Sequence, residues 1–164
     1  MKVIDPERSW LALEKRMASE SNARRRAVLA RVRDHMRDEL RELLEPVMAT
    51  LSDEPLYHFH GMPGFDVLRG RPAVESYYRQ MFSAGRMNAE FVIERIAVDD
   101  NTVVTEGKMI ALADRASMPA DQPKQDAAQF LAVTPLLVVW PVTEDGMLIG
   151  ENIYLGATHY VPTP

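Results

Sequence analysis

Two histidines one residue apart, His58 and His60, are the side chains of this chain best suited to move a proton. Histidine titrates near neutral pH and can take a proton from carbon or oxygen and return it. In an extended segment, residues two apart project from one face, so both imidazoles would reach the same side. Either could act as general base or acid. Tyr57, Tyr77 and Tyr78 could donate to a developing oxyanion, Tyr78 as a catalytic phenol and the other two against the substrate. Glu106 and Glu151 each stand in the middle of a strand-like run, where a carboxylate facing an apolar pocket can act as acid, base or orienter of a histidine. Trp140, Asn152 and Phe82 are further lining candidates. Each group also has a structural reading: hydrogen-bonded histidines at a strand end, aromatic core residues, and glutamates turned to solvent or to a dimer interface. No phosphate-cradling glycine loop, nucleophile elbow or dinucleotide fingerprint is present.

The composition explains why the search narrows to these groups. The 164 residues contain no cysteine, which excludes disulfides, thiolate nucleophiles and cysteine metal ligands together. With 46% hydrophobic and 26% charged residues the chain has the balance of a soluble globular protein, long enough for one domain with a real core. The formal charge of -5 argues against a nucleic-acid surface. No window approaches the roughly 18 apolar residues of a membrane span, and Asp5 and Glu7 stand where a signal peptide would be apolar, so a cytoplasmic location is expected.

Asp5-Pro6-Glu7 is a helix-start signal, and Trp10, Leu13 and Met17 fall on one face of a short helix over about Pro6 to Ala18. Leu29, Val32, Met36, Leu40, Leu43 and Val47 form the apolar stripe of a longer helix starting at Ala23, with a break at Pro46 and a short helix to Leu51. The arginines between Arg24 and Arg41 are read as a solvated face of that helix, and His35, at the edge of the stripe, as structural. Leu56 to His60 alternates as a strand, with Leu56, His58 and His60 on one face and Tyr57 and Phe59 on the other. Gly61 to Gly70 is a loop with Pro63. Arg71-Pro72 opens a helix, ending near Gly85, with Val74, Tyr77, Tyr78, Met81 and Phe82 on its buried stripe. Strands follow over Phe91 to Val98, Thr102 to Leu112, Ala127 to Val142 and Met147 to Tyr154, with a long loop from Ala113 to Asp126 that carries Pro119 and Pro123. Helices followed by antiparallel strands predict an α+β fold with the helices on one face of a curved sheet.

Three pieces carry a family resemblance: Gly70-Arg71-Pro72-Ala73-Val74-Glu75-Ser76-Tyr77-Tyr78, the hairpin Val98 to Val104, and Asp145-Gly146-Met147-Leu148-Ile149. Together, over about Arg33 to Tyr154, they resemble the nuclear transport factor 2-like superfamily, in its SnoaL-like and ketosteroid-isomerase-like branches. The resemblance implies a cone-shaped α+β barrel, with N-terminal helices packed on a strongly curved mixed or antiparallel sheet enclosing an apolar pocket. It also implies a homodimer through the outer sheet face. The whole of 1–164 would be one such domain, with 1–20 an accessory helix and 157–164 a tail. Tyr154 is followed by Leu155-Gly156 rather than the family's Tyr-x-Asp ending, and Met147 replaces its common lysine.

In the ketosteroid-isomerase-like branch the base lies about ten residues before the glycine that opens the third helix, the place that His60 takes before Gly70, so the resemblance implies His60 as the first choice for general base or acid, with His58 beside it. The expectation is therefore a cofactor-independent lyase or isomerase. It would use acid/base proton transfer in dehydration, isomerisation, cyclisation or retro-aldol cleavage of a small apolar or aromatic substrate. A non-catalytic binding or assembly module is the alternative. A metal on the His58-x-His60 pair is a further one, which would suit a cupin, but Gly64, Phe65 and Asp66 stand where a cupin has its glutamate. No metal, cofactor, nucleic acid or membrane partner is assigned.

Overall fold

The computed structural model describes residues 3–62, 64, 67–85, 87–118 and 129–163. The expected positions of Pro63, Phe65, Asp66, Pro119 and Pro123, and most of the long loop before residue 127, lie outside the described residues. Four α-helices, α1 (Leu11–Ala18), α2 (Ala23–Leu40), α3 (Leu44–Ala49) and α4 (Gly70–Ser83), accompany seven strands. These are β1 (Leu51–His60), β2 (Val67–Arg69), β3 (Ala89–Val98), β4 (Thr102–Asp114), β5 (Gln129–Pro141), β6 (Leu148–Leu155) and β7 (His159–Pro162).

The strands form one sheet in the order β2-β1-β6-β5-β4-β3, with β7 also on β5. Among the described strands only the β1–β6 pair is parallel, so the sheet is mixed. β5 is long enough to hold β4 along one edge while β7 and β6 share the other, at Phe130–Val133 and Leu136–Val139. Its inward residues Val138 and Trp140 meet Val28, Leu29 and Val32 of α2 in the core, which places the helices on the concave face.

Several boundaries differ from expectation. The first helix is split: Pro6–Arg8 is a 3-10 turn capped by Asp5, and the α-helix begins at Leu11. The long helix ends at Leu40, ahead of Pro46, where Glu42 takes a positive φ of 57°. Pro46 then falls in the first turn of α3, where a missing N–H costs no intrahelical bond. β1 starts five residues earlier than Leu56. The expected loop before Gly70 contains the short strand β2, and the tail contains β7.

The arginines of α2 do more than face solvent. Arg24 donates to the backbone carbonyls of Asp100 (2.8 Å) and Thr143 (2.6 Å), and Arg31 donates to that of Gly146 (2.8 Å). These bonds tie the helix to the β3–β4 and β5–β6 turns. The N-terminal segment packs on β3, where Arg8 pairs with Glu90 at 2.5 Å and Ser9 accepts from the Phe91 N–H at 2.9 Å. Among the described residues no helix is long and apolar enough to cross a membrane.

Candidate active site

α2, α4 and the concave sheet face enclose a cavity of about 530 Å³. Its walls are apolar, with Phe59, Tyr77, Phe91 and Trp140 as rings and Met36, Met62, Met81, Met87 and Met109 as deformable thioethers. The described residues that line it include two carboxylates, Glu39 and Glu151, and no lysine or arginine.

Helical spacing brings Glu39 to the cavity. His35 and Glu39 are four residues apart on α2 and so share a face, one turn along from Val28 and Val32. Sheet register brings Glu151: it stands directly opposite Tyr57 across the β1–β6 pair, as Ile153 stands opposite Phe59. α4 supplies Tyr78 from the third side.

Behind the two glutamates lies a closed polar cluster. His35 is wholly buried, and its Nε2 is 3.0 Å from Glu151 Oε1, 3.0 Å from the Tyr78 hydroxyl and 3.1 Å from the Tyr57 hydroxyl. The two tyrosine hydroxyls are 2.7 Å apart, and Tyr78 also donates to Glu151 Oε1 at 3.4 Å. On the other side of the ring, Nδ1 is 2.5 Å from Thr50 Oγ1, which is itself 2.6 Å from the Val47 carbonyl. A carbonyl can only accept, so the threonine proton goes to Val47 and the imidazole Nδ1–H donates to Thr50. In the neutral ring the lone pair therefore sits on Nε2 and faces the tyrosines and Glu151.

Burial, and then the charge of Glu151, push the Glu39 carboxyl well above the ordinary glutamate range. Burial, followed by the same carboxylates, pushes Tyr57 and Tyr78 well above the usual phenol range, so both hydroxyls keep their protons and act as donors. The result is a carboxyl biased toward its acid form beside a second carboxyl that accepts from the buried Tyr78, at the floor of an apolar cavity. Such a pair can deliver a proton to one atom of a bound molecule and remove one from another.

Of the residues expected at the site, Glu151, Tyr77 and Trp140 line the cavity, whereas Tyr57 and Tyr78 stand behind it in the polar cluster. The Trp140 indole N–H is taken by Thr105 Oγ1 at 2.9 Å, so Trp140 offers its ring alone. Phe82 stacks on Tyr78 and packs against the core rather than the cavity.

The two histidines require a correction. The alternation of β1 is as expected, but Tyr57 and Phe59 are its inward residues, so His58 and His60 project from the opposite face. There the His60 ring lies parallel to Tyr154 at 4.2 Å, and the His58 ring lies tilted against it at 3.9 Å. Asn152 pairs with His58 and shares that outer face. Glu106 faces outward too and forms an ion pair with Arg95.

His35, Glu39 and Thr50 were not among the expected site residues. His35 and Glu39 could have been found from the helical stripe: Val28, Val32, His35 and Glu39 follow one another at spacings of four, three and four.

Residues 26–148 match the model of the SnoaL-like domain. No curated protein matches the chain. Solved structures share the fold at low identity. A candidate SnoaL-like polyketide cyclase from Jannaschia sp. CCS1 superposes with a TM-score of 0.62 at 14% identity, covering 84% of this chain and 90% of that one. SalBIII, an epoxide hydrolase/cyclase-like enzyme in pyran ring formation of the polyether salinomycin, gives 0.55 at 13%, covering 79% and 90%. A computationally designed 17-OHP binder gives 0.58 at 11%, covering 84% and 98%.

Proposed function

Because the chain belongs to the SnoaL-like domain family, we propose that its cavity is the active site of an acid/base enzyme acting on a small, largely apolar or aromatic substrate. The reaction is a proton transfer of the dehydration, isomerisation, cyclisation or retro-aldol kind. The observation that carries this reading is the meeting of Glu39 and Glu151 at the floor of an otherwise apolar cavity.

In this reading Glu151 is the base. Tyr78 donates to its Oε1, which fixes the carboxylate before substrate arrives. Glu39, kept protonated by its enclosure, is the acid that meets the leaving or enolising oxygen. The rings and methionines exclude water and position the substrate, and the absence of a lysine or arginine among the described lining residues favours a neutral molecule over an anion. His35, Tyr57, Tyr78 and Thr50 are positioning residues.

The test is a panel of hydroxylated polycyclic and aromatic ketones incubated with the protein in D2O and chelator, with deuterium incorporation and product mass followed. Exchange or conversion by the wild type, reduced about 100-fold or more in Glu151→Gln, is the expected result. Saturable binding of panel members without exchange or conversion would replace this reading with that of a binding module, the role of the designed relative.

A further inference from the structure

The floor of the cavity has the make-up of a metal site. His35 Nε2 and one carboxylate oxygen each from Glu39 and Glu151 all lie within 4.8 Å of one another. Around a single first-row ion, bonds of about 2.0–2.2 Å put ligand atoms about 3.3–3.6 Å apart in a tetrahedral site and at most about 4.4 Å apart in any geometry, so shifts of about an ångström close this set.

The imidazole is already prepared as a ligand. Its Nδ1–H is held by Thr50, which leaves the Nε2 lone pair facing Glu151 and the Tyr57 and Tyr78 hydroxyls, which an incoming ion would displace from it. A hydrogen bond from the non-ligating ring nitrogen to a fixed acceptor is the usual support of a metal-bound histidine. The two carboxylates also lack a neighbouring lysine or arginine among the described residues that line the cavity with them. One positive charge is needed there, and either a proton or a cation can supply it.

We propose that His35, Glu39 and Glu151 form a mononuclear site for a first-row divalent cation such as Zn²⁺ or Mn²⁺, open toward the cavity. An imidazole among few ligands selects such an ion over Mg²⁺ or Ca²⁺, which take oxygen ligands and higher coordination. Binding displaces the proton from Glu39 to solvent. With the ion in place both glutamates are ligands, so the acid/base reaction proposed above is blocked. The proposal does not rest on that reaction; the two share residues and exclude one another in time.

The test is calorimetric titration of chelator-treated, full-length protein with ZnCl2 and MnCl2 in buffers of different ionisation enthalpy. One ion per chain is expected. Glu39→Gln and Glu151→Gln should each weaken binding about 100-fold or more, and Thr50→Val, which removes only the support of Nδ1, about 10- to 100-fold. Circular dichroism confirms that each variant is folded. No saturable binding by the wild type would overturn the proposal, as would unchanged affinity in both glutamine variants. So would loss of binding confined to a His58→Ala/His60→Ala double variant, which would put the ion on the outer sheet face. Because the deuterium-exchange test is run in chelator and this one without substrate, either can fail alone.

Discussion

The hydroxyl of Thr50 accepts the Nδ1–H of His35 at 2.5 Å because its own proton is taken by the Val47 carbonyl at 2.6 Å. A short helix that touches no part of the cavity thus decides which nitrogen of a buried imidazole faces Glu151. Thr50→Val keeps the volume and leaves a buried donor without a partner, so a loss of about 1–3 kcal/mol is expected in urea denaturation. Thr50→Ser should lose much less. Equal losses in the two variants would mean that packing, and not the hydrogen bond, is what Thr50 provides.

Glu39 gives the protein a pH dependence of definite sign. Its carboxyl is held above the ordinary glutamate range in the native state, so the stabilisation is complete below that range and is lost as pH rises through the raised native value. Within that window the unfolded chain has released the proton and the native state has not, and stability falls by up to about 1.4 kcal/mol per pH unit. Glu39→Gln should remove this slope. Melting temperatures of wild type and variant recorded from pH 4 upward should diverge in slope, and parallel curves would show that Glu39 titrates normally.

The phenols of Tyr57 and Tyr78 touch each other and the same imidazole. Their removal should therefore be non-additive. We expect Tyr57→Phe and Tyr78→Phe each to slow turnover, because both phenols border Glu151, with a coupling of about 0.5–3 kcal/mol between them. A double-mutant cycle on the rate constant measures this; additive effects would mean that the two hydroxyls act separately.

His60, on the outer face, provides the contrast. His60→Ala removes the stack on Tyr154 but no cavity group, and turnover should stay within about twofold of wild type, the size of effect given by a few tenths of a kcal/mol. A loss comparable to that of Glu151→Gln would return catalysis to the histidine pair.

Gly150 lies where β6 passes β1 most closely: a Cβ there would sit 1.9 Å from the Leu56 carbonyl oxygen, and φ is 142°. Gly150→Ala should destabilise the fold by about 3 kcal/mol or more, through backbone displacement at a strained position. A chemical denaturation midpoint close to wild type would show that β1 and β6 can separate without penalty.

Much of the architecture was legible because burial imposes periods that survive in one sequence. The stripe from Leu29 to Leu40 marked α2, Arg71-Pro72 marked the start of α4, and the alternation from Leu56 to His60 marked β1. Alternation says which residues share a face but not which face is covered. Tyr57 and Phe59 are as compatible with an outer aromatic patch as His58 and His60 are with a catalytic pair. The decision depends on pairing with Glu151 and Ile153 nearly a hundred residues away, which no local pattern carries. Glu39 was hidden for a different reason. In a helix crowded with Arg31, Arg33, Asp34, Arg37 and Asp38, one more charge reads as solvated surface until the sheet closes over it.

The irregular pairing of β1 with β6 bears on how this chain could change its chemistry. Leu51 pairs with Leu148 and Leu56 with Gly150, so Ser52 to Pro55 stand against Ile149 alone. Loss or gain of a single residue in that stretch would rotate everything downstream by half a period, exchanging a tyrosine and a phenylalanine for two histidines at the cavity wall. A phenol-and-carboxylate floor and an imidazole-lined wall are thus neighbours in chain length, separated by one codon's insertion or deletion rather than by a series of substitutions.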